Sequence, residues 1–121
     1  MTKVLIVEDS PTFRKTFRDA LSRRFPFLII KEASNGREAL DRIKSFDPAL
    51  VFMDIRLAGE SGLELTEKIK AENPEIIVII LTNYDLPEYR KAASDGGADD
   101  FIPKGALSLT KIEGLINGLP P

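Results

Sequence analysis

The sequence predicts an α/β fold: a doubly wound, five-stranded parallel sheet with five helices on its two faces. Apolar, strand-like runs alternate with amphipathic helical segments five times in 121 residues, which is the pattern of repeated βα units. The runs at residues 49–54 and 76–82 are almost continuously apolar, as expected for strands that helices cover on both faces. Because five units are too few to close an eight-stranded barrel, we expect an open sheet.

Each predicted element has signals at its ends. The predicted strands are residues 3–8, 27–33, 49–54, 76–82 and 99–102, and the predicted fifth helix is residues 108–117. The first helix has an apolar stripe formed by Phe13, Phe17, Ala20 and Leu21. The first four helices begin with a capping residue, a capping-box pair or a first-turn proline, namely Ser10-Pro11, Asn35 with Glu38, Ser61 with Glu64, and Asp85 with Pro87 and Glu88.

The composition indicates one soluble domain over residues 1–121. Apolar residues make up 43% and charged residues 30%, and 17 basic and 19 acidic residues leave a net charge of -2, so electrostatic binding of nucleic acid is not expected. The absence of Cys and His excludes disulfides, thiol catalysis and histidine-ligated zinc. No apolar run is long enough to span a bilayer. Residues 119–121 are either a tail or the start of a linker.

Residues that can carry chemistry follow the predicted strands, at the edge where open parallel sheets bind ligands. They are Glu8 and Asp9 after the first strand, Asp54 after the third, Thr82 after the fourth and Lys104 after the fifth. Two carboxylates about 4 Å apart repel by roughly 4 kcal/mol near a protein surface, so the cluster needs cations. Oxygen ligands from few protein groups favour Mg²⁺. A carboxylate beside that ion can attack phosphorus.

Four motifs stand at the ends of predicted strands: VLIVEDSP, VFMDIRLAGESG, ILTNYD and GADDFIPKG. Together they resemble the receiver domain of response regulators in two-component signal transduction, and the resemblance covers residues 3–119. It implies a flavodoxin-like sheet with strand order 2-1-3-4-5. It also implies a phosphorylation switch in a phosphorelay, in which Asp54 accepts a phosphoryl group from a sensor histidine kinase or a phosphotransfer protein.

The resemblance implies a role for each residue of the site. Lys104 pairs with the phosphoryl group, while Thr82 and Phe101 form a switch in which the hydroxyl moves toward the phosphate and the ring turns inward. The implied cofactor is Mg²⁺, with Mn²⁺ as an alternative ion, and its implied ligands are Glu8, Asp9, Asp54 and the backbone carbonyl of Arg56. We expect a cytoplasmic regulatory domain that catalyses only its own phosphorylation and dephosphorylation.

The resemblance also implies partners. The Lys104-Gly105 junction is similar to that of receivers attached to helix-turn-helix output domains, so the chain is either a stand-alone regulator or a receiver excised from a longer protein. Signalling, including a phosphorylation-dependent homodimer, is expected to use the fourth helix, the fifth strand and the fifth helix. Neither direct nucleic-acid binding nor membrane insertion by this domain is expected.

Four positions depart from the usual receiver pattern. Phe101 stands where many members have tyrosine, Ala58 where a loop proline is common, and Asn83 where a small residue is usual. Gly105 follows Lys104 where many members have a cis-proline. Because a cis bond before a non-proline residue costs about 3 kcal/mol, the Lys104-Gly105 bond is predicted to be trans.

Three other functions stay open on the residues alone. An aspartyl-phosphate phosphohydrolase would carry a second aspartate where this chain has Arg56. A flavin- or nucleotide-binding module would need a glycine-rich loop after the first strand, where the sequence is instead acidic. A pseudo-receiver would bind partners without phosphate. Taken singly, Lys104 fits a surface lysine, Phe101 a core or rim aromatic and Gly62 a turn or cap glycine.

Overall fold

The computed structural model describes residues 2–119 of the chain. The elements in chain order are β1 (Lys3–Val7), α1 (Pro11–Arg24), β2 (Ile29–Ala33), α2 (Gly36–Phe46), β3 (Leu50–Met53), β4 (Arg56–Leu57), β5 (Glu60–Ser61), α3 (Gly62–Glu72), β6 (Ile77–Thr82), α4 (Pro87–Asp95), β7 (Asp100–Pro103), a 3-10 turn (Lys104–Ala106) and α5 (Leu109–Asn117). Five of the strands form one sheet in the order β2-β1-β3-β6-β7, and every pair in it is parallel. This confirms the predicted α/β fold with strand order 2-1-3-4-5.

Two apolar cores lie on opposite faces of the sheet. Alternate residues of β3 belong to different cores, Leu50 and Phe52 to one, Val51 and Met53 to the other. The first core includes buried apolar residues of α1 and α5, and the second includes buried apolar residues of α2, α3 and α4. Because both faces of the central strands are covered, their sequences are continuously apolar rather than alternating.

The predicted helix starts are largely confirmed. The Ser10 hydroxyl accepts a hydrogen bond from Phe13 N at 3.4 Å, and the Asn35 side chain accepts one from Glu38 N at 2.9 Å. The fourth helix differs, because its N-cap is Leu86, which makes no side-chain capping bond. Asp85 lies one residue too early to cap the helix and instead pairs with Arg90 in the first turn of α4, 2.5 Å away.

Four of the five sheet strands start later than the sequence predicted, the second by two residues and the third, fourth and fifth by one. The second begins at Ile29 rather than at residue 27, because Phe27 lies in a turn with half its surface exposed and its ring edge-on to Phe25. The fifth begins at residue 100. Asp99 stands outside it, and its carboxylate accepts a hydrogen bond from Val78 N at 2.9 Å.

The predicted small-residue loop after the third strand is a hairpin. Strands β4 and β5 pair antiparallel, with Arg56 opposite Ser61, and Gly59 at the tip has a φ of 70°. The Glu60 carboxylate accepts a hydrogen bond from Gly36 N at 2.6 Å and so ties the hairpin to the start of α2. Of the proposed tail, only residue 119 lies within the described range. None of the helices in residues 2–119 has the length and apolarity needed to cross a bilayer.

Candidate functional site

The predicted site residues meet at the carboxyl edge of the sheet. Glu8 and Asp9 follow β1, Asp54 follows β3, Thr82 is the last residue of β6, and Lys104 follows β7. Strands β1, β3, β6 and β7 are neighbours in the sheet, so their ends deliver these side chains to one place. The winding reverses between β1 and β3, which is where ligands bind in open α/β sheets.

Three carboxylates form a cluster at this edge. One oxygen each from Glu8, Asp9 and Asp54 lies within 4.8 Å of the other two. Glu8 and Asp54 are buried, at 2% and 8% exposed, whereas Asp9 is exposed. Partial burial, followed by the adjacent Glu8 carboxyl, raises the pKa of Asp9 above its ordinary value of 3.8. The pKa shift of Asp9 therefore has the sign expected for a partly desolvated carboxyl beside another carboxyl.

Lys104 supplies positive charge within hydrogen-bonding reach of the cluster. Its ammonium pairs with Glu8, and its Nζ lies 3.5 Å from Asp54 Oδ2. The Lys104 side chain is only 11% exposed, and the Phe13 ring covers it, with the ring centroid 4.1 Å from Nζ. Lys104 is thus a fixed component of the site rather than a surface lysine.

Backbone groups fix the orientation of the two buried carboxylates. The Oδ1 atom of Asp54 accepts a hydrogen bond from Ile55 N at 2.8 Å, which leaves Oδ2 on the side of the ammonium. Glu8 Oε2 accepts one from Ser10 N at 3.1 Å, and the Glu8 carbonyl accepts one from Arg14 Nη1 at 2.7 Å. These bonds hold the site in place before any ligand arrives.

Gly62 is a residue of the site that the sequence interpretation missed. It is the first residue of α3, and its N donates to the carbonyl of Ile55 at 2.7 Å. A Cβ added at Gly62 would overlap the carbonyl oxygen of Asp54 and lie 2.8 Å from its carbonyl carbon. Glycine is therefore required at position 62 because the start of α3 lies so close to the Asp54 main chain, and not because of a turn. The sequence feature that could have indicated this was the position of Gly62 directly after a capping serine near Asp54.

The residues of the predicted switch lie on neighbouring strands. Thr82 is fully buried, and its hydroxyl accepts a hydrogen bond from Tyr84 N at 3.2 Å. The partly buried ring of Phe101 lies under the guanidinium of Arg90, 4.7 Å from its centroid. Within residues 2–119 no peptide bond is cis, so the bond from Lys104 to Gly105 is trans as predicted.

Arg56 lies at the rim of the site. Its side chain is exposed and stacks on the Tyr84 ring, 4.0 Å from the centroid. The hairpin strand β4 begins at Arg56, two residues after Asp54. The role expected for its backbone carbonyl stays a prediction.

The donor set fits a hard divalent cation. All side-chain donors of the cluster are carboxylate oxygens, and two of the three carboxylates are buried. Such a set of ligands suits Mg²⁺ or Mn²⁺, which prefer oxygen. It differs from the thiolate and imidazole ligands that are typical of zinc sites.

The fold and the site together define an α/β domain that gathers three carboxylates and an ammonium at one edge of a parallel sheet. The family model for the response regulator receiver domain matches residues 4–116. The chain therefore belongs to the receiver-domain family of two-component response regulators, which confirms the resemblance carried by the four strand-end motifs.

Individual relatives agree with this assignment. A chemotaxis protein CheY from Halobacterium salinarum is 38% identical over 102 residues, covering 84% of this chain and 83% of that protein. A cyclic di-GMP phosphodiesterase from Thermotoga maritima is 44% identical over 101 residues, covering 84% of this chain and 26% of that protein. A solved response regulator from Burkholderia pseudomallei, with a phosphorylated aspartic acid, calcium ion and citrate, has a TM-score of 0.84 at 25% identity, covering 99% of this chain and 67% of that chain. The chain spans 26%, 43% and 32% of the length of three curated relatives.

Proposed function

We propose that this domain is a phosphorylation-dependent signalling switch whose acceptor is Asp54. The observation that carries the proposal is the cluster of Glu8, Asp9 and Asp54, with Lys104 Nζ 3.5 Å from the acceptor. A nucleophilic carboxylate, an oxygen-lined cation site and a fixed ammonium are the groups that phosphoryl transfer needs. Membership of the receiver family and the phosphorylated aspartic acid of the Burkholderia structure support the same assignment.

The proposed transfer takes a phosphoryl group from a phosphohistidine of a sensor kinase or a phosphotransfer protein. An Asp54 oxygen forms a bond to phosphorus while the bond from phosphorus to the imidazole nitrogen breaks, and its electron pair stays on that nitrogen. Lys104 stabilises the negative charge on the phosphoryl oxygens. Mg²⁺, when bound, would supply further positive charge to those oxygens and reduce their repulsion by the acceptor. Its proposed ligands are Glu8, Asp9, Asp54 and the backbone carbonyl of Arg56.

The proposed switch begins at Thr82. Its hydroxyl is engaged by Tyr84 N, and rotation toward a phosphoryl group on Asp54 would break that bond. The loop that leads to α4 would then move, and the Phe101 ring would turn into the space that Thr82 and the loop vacate. Phosphorylation acts as a population shift, because the phosphoryl group binds the rotated hydroxyl only in the active state.

The output of the switch is proposed to be a partner or an attached domain. Several relatives are much longer than this chain, and their names are cyclic di-GMP phosphodiesterase, response regulator MprA and protein-glutamate methylesterase/protein-glutamine glutaminase. We infer that α4, β7 and α5 present the changed surface, since Phe101 lies on β7 and its ring contacts Arg90 of α4. We expect the domain to act in the cytoplasm.

The test is labelling with a small phosphodonor. Incubation of the chain with acetyl phosphate and Mg²⁺ is expected to add one phosphoryl mass, sensitive to hydroxylamine, and chelation of the metal is expected to abolish the addition. Asp54→Asn should remain unmodified, while Asp47→Asn, a control at an exposed aspartate that ends α2, should label like the parent chain. Equal labelling of Asp54→Asn, or no labelling of the parent chain, would contradict the proposal.

A further inference from the structure

For its proposed role, the Lys104 side chain must reach carboxylates that follow other strands of the sheet. It starts from the 3-10 turn after β7 and reaches the carboxylates that follow β1 and β3. A lysine side chain is long and flexible, and its ammonium is strongly hydrated, so something must hold it in the site. Carboxylates on one side attract it, but they do not decide whether the ammonium faces Glu8, Asp54 or solvent.

The Phe13 ring occupies the other side of the ammonium. Its centroid lies 4.1 Å from Lys104 Nζ, well within the range in which a ring face attracts a cation. With the ring on one side and Glu8 and Asp54 on the other, the side chain is left 11% exposed. The ring therefore closes the path by which Lys104 would extend into water.

The ring is itself fixed by two sets of contacts. It stacks on Phe17, with the centroids 5.7 Å apart, and Phe17 packs edge-on against Phe52 of β3 at 5.0 Å. The Phe13 backbone N–H donates to the Ser10 hydroxyl, and Ser10 N donates to Glu8. These contacts close a ring of interactions that runs from Glu8 through Ser10, Phe13 and Lys104 back to Glu8.

We propose that Phe13 is a positioning residue of the phosphoryl-acceptor site, whose ring face holds the Lys104 ammonium beside Asp54. The inference rests on the proposed function, since it concerns the same transfer. An aliphatic side chain at position 13 would fill space without the negative ring face, so Lys104 would sample solvent and meet the phosphoryl oxygens less often. The acidic cluster would keep all of its ligands.

The first experiment measures the rate at which acetyl phosphate with Mg²⁺ phosphorylates the chain. We expect Phe13→Leu to slow the rate by about fivefold to thirtyfold, the range that one cation–π contact with a desolvated ammonium supports. Phe13→Trp, which keeps a strong ring face, should restore most of the rate. The matched control is Phe46→Leu, which removes a ring that lies near the ammonium groups of Lys3 and Lys31 at the end of α2, and it should retain a rate close to that of the parent chain.

Two further measurements separate positioning from simple packing. In a Lys104→Met background, Phe13→Leu should have no additional effect on the rate, whereas a packing role would slow both backgrounds equally. Replacing Phe13 by phenylalanines of increasing fluorination, which keeps the ring shape and weakens its face, should lower the rate stepwise. Calorimetric affinity for Mg²⁺ should not weaken in Phe13→Leu.

The outcomes also distinguish this proposal from the proposed function. If the parent chain accepts phosphate and Phe13→Leu does so at the same rate, or if the fluorinated series is flat, the role of Phe13 is overturned and the function stands. If the parent chain is not labelled at all, the proposed function itself fails.

Discussion

Replacing Asp9 by asparagine is expected to stabilise the metal-free domain. The Asp9 carboxylate has oxygens within 4.8 Å of those of Glu8 and Asp54. At that separation two unit charges repel by about 1 kcal/mol in water and by about 3 kcal/mol at the effective dielectric of a protein surface. Asp9 is exposed, and Lys104 offsets part of the repulsion, so we expect a gain of about 1 kcal/mol in the free energy of unfolding, or about 4 °C in Tm.

The gain should depend on pH with a defined sign. The pKa of Asp9 is raised above 3.8, so the folded state binds the proton more tightly than the unfolded state. The repulsion therefore costs stability above the folded-state pKa and disappears as the pH falls below the unfolded value. The difference between Asp9→Asn and the parent chain should be largest near neutral pH and should shrink through the acidic range.

Urea unfolding in a chelator, repeated over pH, measures the effect. Saturating Mg²⁺ should reverse the order of stability, since bound ligand stabilises the folded parent chain and Asp9→Asn lacks one proposed ligand. The control is Glu75→Gln, which changes an exposed carboxylate elsewhere in the chain. It should neither stabilise the metal-free domain nor reverse the order of stability in Mg²⁺. A metal-free Asp9→Asn domain less stable than the parent chain would refute the reasoning.

Two other perturbations follow from the contacts. Gly62→Ala should lower the free energy of unfolding by about 2 kcal/mol or more and slow phosphorylation, because a backbone carbonyl must move. Gly36→Ala is the comparison in the same urea titration. It should lower the free energy of unfolding by less, because its added Cβ meets the end of the flexible Glu60 side chain. Arg90→Leu should release the Phe101 ring and speed phosphorylation by a small donor by roughly fivefold, the equivalent of one exposed cation–π contact. The rate is measured by quenching the labelling reaction at a series of times. An unchanged rate would count against the idea that Arg90 restrains the ring.

The fold and the polar edge could be predicted because they depend on local patterns. Continuous apolar runs indicated parallel strands covered on both faces, and the residues after those runs had to meet because parallel strands end together. Asp54 and Lys104 are 50 residues apart in the sequence, and they are close because β3 and β7 flank β6. No knowledge of side-chain conformation was needed for that step.

Contacts that depend on three-dimensional approach could not be predicted. Strands β4 and β5 have two residues each, too few for any periodicity. Phe13 was counted only as part of an apolar helical stripe, although one edge of that stripe faces Lys104. Phe27 was placed in a strand because of its hydrophobicity, but the turn before β2 leaves it half exposed.

The close approach of Gly62 to the carbonyl of Asp54 bears on how the domain would respond to a group on the Asp54 side chain. Because no Cβ would fit between Gly62 and the carbonyl of Asp54, we expect the start of α3 and this segment to move as one unit. If Asp54 is phosphorylated as proposed, we expect the larger motion at Thr82 and the loop after it, where the hydrogen bond from Tyr84 N to the Thr82 hydroxyl can be exchanged. In engineered sensors built on this domain, α3 is accordingly the place for a rigid attachment, and the segment after β6 is the place for a reporter.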